Sequence, residues 1–247
     1  AGVVLIERDG QSFEAPMSRG LACANVGAMG EAPLCLRAAW REGGLGGVSN
    51  PCVPSADEQL LFGDWHTHDF NSTAEGWPAD PYLWARDEMA LDFLSVPVQV
   101  HRWIDNEKWA LVKHFNEYFL DEGRFVTLLA FEYQHSGCGD KVVHFLGGDQ
   151  PYLPVDLPEY DSPAKLYAAL RQTDAVVISH HPGYALDLHV PGTRWEAMDP
   201  SVDRLVELWS MHGSSEGYDP ADRPLIPPRR EGGAYEALRN GPAISAM

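Results

Sequence analysis

Between Gln59 and Trp209, short apolar runs alternate with stretches of helical period, and this alternation constrains the fold more than any other feature of the chain. The runs are Leu60–Trp65, Phe93–Val100, Phe125–Phe131, Val142–Leu146, Ala175–Ile178 and Leu205–Trp209. The helical stretches are Asp80–Leu91, Asn106–Asp121, Ser162–Gln172 and Gly233–Arg239. In the second, Trp109, Val112, Phe115, Phe119 and Leu120 recur at helical spacing. The third opens with Asp161-Ser162-Pro163, which places a proline in the first turn. Strands alternating with helices predict a mainly parallel sheet, and Ala175–Ile178 suits a strand buried on both faces. Six such strands make most of an α/β barrel. Residues 1–55 read differently. They are rich in Gly, Ala and Pro, and Gly43 to Ser55 has the composition of an extended linker. We therefore expect an N-terminal appendage over 1–55 and a barrel over 56–247.

Histidine placement turns this scaffold toward chemistry. Of ten histidines, His66, His68, His101, His144, His180, His181 and His212 lie in or just beyond these runs, and Glu132 closes Phe125–Phe131. In a parallel barrel the carboxyl ends of all strands open on one face, so residues far apart in sequence converge there. His66 and His68 alternate onto one side of an extended segment, and both can reach one ion. Imidazole nitrogen is a common ligand for zinc, iron and related metals, and a carboxylate has two oxygens with which to bridge two ions. A single histidine at a strand end is more often structural than a ligand. Five strands delivering His or Glu to one face would need several independent accidents.

The remaining composition narrows the partners. Lys and Arg number 18 against 36 Asp and Glu, a formal charge of -18 that opposes binding to a phosphate backbone. No apolar run approaches a membrane span of about 20 residues, and the opening AGVVLIERDG has no signal-peptide pattern. The cysteines, Cys23, Cys35, Cys52 and Cys138, include no C-x-x-C pair. A Cys23–Cys35 disulfide is left open, and with it the compartment.

The segments LFGDWHTH, ARDEMALDFLSV, FVTLLAFEYQ, VVHFLGG and VISHHPG, in that order, resemble the PHP (polymerase and histidinol phosphatase) superfamily. Ser49-Asn50-Pro51 and Val206 to Glu216 are similar to a branch of large bacterial proteins with that domain, and the resemblance covers about residues 48–245. It implies a distorted (β/α)7 barrel with two or three divalent ions (Zn, Mn or Fe) and hydrolysis of a small phosphoester or related ester. Matched by position, it implies metal ligation by His66, His68, Glu132, His144 and either His180 or His181. His101 and His212 are left to donate a proton or complete a metal shell, and Asp64 to orient a ligand imidazole from behind.

Two departures from that pattern stand out. Ser95 to His101 replaces the expected Thr-Asp-His, so His101 acts from a shifted position or that ligand is lost. No histidine follows His212, so either the sequence is a fragment that stops before the strand carrying the terminal Asp-x-His or the site is incomplete. A barrel without its last strand implies impaired activity and a sheet edge that a partner chain or second copy would cover. Two other readings compete. Gly213 to Gly217 matches the G-x-S-x-G hydrolase elbow, but prolines follow where a helix should. A non-catalytic metal- or carbohydrate-binding domain is the stronger alternative. Asn71-Ser72-Thr73 is a formal glycosylation sequon that falls in the expected active-site loop, and we read it as chance.

Overall fold

The computed structural model describes residues 2–27, 34–51, 60–72, 74–99, 105–185 and 190–216. The chain divides into two compact units, Ala1–Gly63 and Asp64–Met247. The first is an antiparallel sheet of β1 (Val3–Arg8), β2 (Gln11–Ser18), β3 (Leu21–Ala22), β4 (Arg37–Trp40) and β5 (Leu45–Val48), in the order β3-β2-β1-β4-β5. Its hairpin register is set at Asp9-Gly10 and Arg19-Gly20, where all four residues have positive φ. Two such residues in a row form the turn whose twist matches the flanking strands. Cys23 and Cys35 are both free and exposed, so the disulfide left open by the sequence is not formed.

The second unit is built on one mixed sheet. Its strands are β6 (Gly63–Asp64), β7 (Phe93–Ser95), β8 (Val98–Gln99), β9 (Val126–Tyr133), β10 (Lys141–Phe145), β11 (Ala175–Ser179) and β12 (Asp203–Val206). They lie in the order β12-β11-β10-β9-β7-β6, with β8 also paired to β9. All six apolar runs are therefore neighbours in chain order. The expected parallel direction fails at β10, which runs antiparallel to both β9 and β11. Residues 134–140 alone separate β9 from β10, too short a link for the dozen or so residues of a parallel crossover. Phe93–Val100 also splits into β7 and β8 at Pro97, which has no N–H to give a ladder.

Helices are shorter than their sequence signals. Asp80–Leu91 becomes α1 (Asp80–Leu83) followed by a π turn over Trp84–Glu88. α2 (Asn106–Phe119) starts where the Asp105 carboxylate accepts the Lys108 N–H at 2.9 Å, and it buries Trp109, Val112, Asn116 and Phe119. α3 (Pro163–Leu170) buries Pro163, Leu166, Tyr167 and Leu170. Gly233–Arg239 lies outside the described residues.

Strand alternation gives the sheet two unlike faces. Leu129, Phe131, Tyr133, Val143, Phe145 and Val177 point one way and pack with Trp109, Val112, Leu166, Tyr167 and Leu170 into the main core. Glu132 pairs with Val142 and Ala130 with His144, so Glu132 and His144 share the opposite face. One polar knot sits on the helix-covered side. Lys141 is 2% exposed and Asp203 0%, with Nζ 3.7 Å from Oδ2. Lys141 donates to Ser179 Oγ at 2.9 Å, and the Tyr167 hydroxyl donates to Asp203 at 2.7 Å. Burial pushes the ammonium down and the carboxyl up, and each partner resists that shift in the other.

Removing one side of this pair leaves an uncompensated buried charge. Lys141→Met should cost about 3–5 kcal/mol in urea denaturation. The double variant Lys141→Met/Asp203→Asn keeps an acceptor for Tyr167 and should recover most of that loss. Equal losses in the single and double variants would show that the pair is not coupled.

Candidate metal centre

The side chains at the ends of the strands meet on the sheet face away from the main core. His66 and His68 follow β6 on an extended segment held beside β7, where the Thr67 N–H donates to the Ser95 carbonyl. Their Nε2 atoms are 3.2 Å apart. Glu132, 2% exposed, enters from β9 with Oε2 3.9 Å from His66 Nε2 and 3.7 Å from His68 Nε2. Oε1 accepts from the Gln134 amide at 3.1 Å, while Oε2 is buried with no hydrogen-bond partner. These three side chains form one group able to hold an ion, and His66, His180 and Glu207 form another.

Glu207 was not singled out in the sequence. It stands one residue past β12, where its N–H donates to the Ser179 carbonyl and continues the ladder with β11. Its carboxylate lies 3.2 Å from His66 Nδ1 and 2.9 and 3.0 Å from His180 Nδ1. In a flat sheet the two edge strands would be about 24 Å apart, five strand spacings. The contact between His66 and Glu207 therefore requires the sheet to curl until its edges face each other.

Both groups share His66, whose neutral ring has a single lone pair to offer. The hydrogen bonds decide which nitrogen offers it. The Pro97 carbonyl can only accept, so at 3.1 Å it fixes the proton of His68 on Nδ1 and bares Nε2. The Glu207 carboxylate does the same for His66 and His180. This is the arrangement in which a carboxylate behind an imidazole orients it as a ligand. Asp64, expected in that role, instead accepts the backbone N–H of His66 at 2.8 Å.

Protons respond strongly to this crowding. Burial alone would lower His66, but Glu132 and Glu207 overcome it and hold the ring up at about 9. Burial opposes ionisation of the two carboxyls as well, yet His66 and its neighbours bring Glu132 down to about 2 and hold Glu207 well below the usual carboxylate range. His180 and His144 are driven down by burial and stay neutral. A proton on His66 Nε2 thus occupies the space between three ligand atoms where a cation would sit.

The other expected residues are placed as follows. His144 is fully buried on the Glu132 face but joins neither group. Its Nδ1 lies 3.0 Å from Ser95 Oγ, and Nε2 has no partner. It is His180, not His181, whose ring meets His66, at 4.2 Å between centroids. His181 has a φ of 31°, uncommon for a residue with a Cβ, and this turns its ring back against His180 at 4.0 Å. His181 Nε2 lies 3.4 Å from Asp140 Oδ2. His212 lies beside this pair, its ring 5.3 Å from those of His180 and His181, and burial lowers its pKa. His101 lies outside the described residues. Ser215, the serine of the G-x-S-x-G match, is buried and accepts the Gly183 N–H, which removes the exposed nucleophile that reading needs.

No protein-family model matches the chain, and no curated protein matches it significantly. Among solved structures, the chain is similar to a two-domain protein from Bacteroides vulgatus described as containing a predicted PHP-like metal-dependent phosphoesterase. The two are 19% identical with a TM-score of 0.37, over 50% of this chain and 36% of that one. A likeness at that level carries no weight for fold or chemistry, which rest on the side chains above.

Two outcomes follow from the protonated His66. Uptake of a divalent ion near neutral pH should release about one proton per ion, read with an indicator dye. The release should fade as pH rises through about 9, where His66 has already lost its proton. Glu207→Gln leaves one acceptor for two Nδ1–H groups and should weaken ion binding roughly 10–100-fold. Unchanged affinity would remove Glu207 from the centre.

Proposed function

We propose that this chain is a metal-dependent hydrolase acting on a small phosphoester, with a divalent ion held by His66, His68 and Glu132. The convergence of the His66 and His68 Nε2 atoms, with one proton between them for an ion to displace, on the Oε2 of a buried carboxylate carries this reading. An oxygen hidden from water with no donor is costly unless a cation or an unseen donor meets it. The donor set fits Zn, Mn or Fe. His144 Nε2, equally buried and bare, and His180 are the residues on hand for a second or third ion. The curled sheet is read as the open wall of a distorted (β/α)7 barrel of the PHP type.

Bound there, the ion would supply a Lewis acid that offsets phosphoryl charge and makes water acidic enough to attack near neutral pH. The chain's own residues do the rest. Pro97 holds the ring of His68 and Glu207 that of His66, so that no reorientation is needed. Gln134 fixes the Glu132 carboxylate by its other oxygen. The formal charge of -18 repels polyanions, which favours a small substrate over a nucleic acid. Among the described residues no helix is long and apolar enough to cross a membrane.

Elemental analysis of the purified chain should find divalent metal, and Glu132→Gln should lower its content. Turnover of an aryl phosphate should vanish with chelation and return on adding Mn or Zn. Metal bound without turnover of any phosphoester would favour the non-catalytic binding domain, and no metal at all would overturn both readings.

A further inference from the structure

The hydroxyl of Tyr184 lies 2.6 Å from Nδ1 of His212, the shortest hydrogen bond to any of the described imidazoles. Both partners are held firmly. Tyr184 is 6% exposed, and its ring stacks on that of His181 at 4.4 Å and 18°. His212 lies in the turn between β13 (Trp209–Ser210) and β14 (Gly213–Ser214), with its N–H donating to Ser210 Oγ. The His212 ring meets Tyr184 edge-on, at 87°.

A phenol donates a hydrogen bond well and accepts one poorly, because its lone pair is shared with the ring. With the hydroxyl as donor and Nδ1 as acceptor, the direction a phenol favours, the His212 hydrogen resides on Nε2. This is the reverse of His66, His68 and His180, whose Nδ1 atoms face acceptors. His212 also belongs to neither ion-holding group.

We infer that Tyr184 is a positioning residue that locks His212 as an Nε2–H donor, and that this donor binds an oxygen of the substrate's phosphoryl group beside the ion. The inference rests on the metal-centre reading above and adds to it a second kind of histidine. Three rings are set to give a lone pair to a cation, and a fourth, set by a phenol, gives a hydrogen to the anion that the cation attracts. A neutral donor serves here because it does not compete with the ion for the carboxylates.

Two measurements decide it. In protein labelled with 15N-histidine, the His212 shifts, assigned by their loss in His212→Gln, should be those of the Nε2–H tautomer, and Tyr184→Phe should move them toward a mixture. An Nδ1–H tautomer in the unaltered chain overturns the inference. With ions loaded, calorimetric binding of inorganic phosphate should weaken roughly tenfold in His212→Ala and in Tyr184→Phe, as for one hydrogen bond to a charged group. The double variant should be no weaker than His212→Ala alone, and His212→Gln, which keeps an N–H near the same place, should retain most of the affinity. Additive losses, or loss of an ion in His212→Ala, would overturn the proposal. If the unaltered chain takes up no ion, the metal-centre reading fails and the phosphate role fails with it. The tautomer assignment then still stands or falls on the 15N shifts.

Discussion

A carboxylate taken out of water must be repaid in hydrogen bonds, and at Glu207 the repayment comes from two strands at once. His66 follows the first strand of the sheet and His180 a strand near its other end, yet both turn Nδ1 toward the same carboxylate. That arrangement is open only to a sheet whose edges have curled together. Once they have, the Nε2 atoms of His66 and His68 are left side by side over Glu132 with nothing between them but a proton. The tautomers of His66 and His180 follow from this one closure.

Much of this was legible in the sequence. The apolar runs became strands in chain order, and His66, His68 and Glu132 came together as their places at strand ends implied. The antiparallel β10 was legible too, in the short link between Tyr133 and Lys141, but the run of alternating signals overrode it. Other features leave no trace in one sequence. Glu207 lies inside Leu205–Trp209 and reads as an edge-strand residue until the far edge arrives to meet it. His180 and His181 differ only through a backbone angle, the positive φ at His181, which no local residue type demands. His144 has the right strand face but sits two residues deeper than the pairing partner of Glu132, a distinction that register alone decides.

The two faces of the sheet handle buried charge in different ways. On the helix side, Lys141 and Asp203 are matched by each other and by neighbouring hydroxyls, so the set is complete within the chain. On the other side the account does not balance internally. Glu132 Oε2, His144 Nε2 and His181 Nδ1 are buried without partners among the described residues. Completed polar sets rigidify a fold, whereas a buried polar atom left unmatched is costly unless water, an ion or a ligand meets it.

The contact between His66 and Glu207 joins residues 141 apart in sequence. Closing so long a loop costs conformational entropy that a neighbouring hairpin such as β9–β10 does not pay. The central strands can therefore assemble early from near neighbours, and the two edges must wait for the intervening chain to order. If opening ran the same course in reverse, the edges would part before the centre melts. A chain built this way would lose its binding centre while its core is still folded. A ligand that spans the seam would act as a clasp, slowing that first parting far more than it hardens the interior.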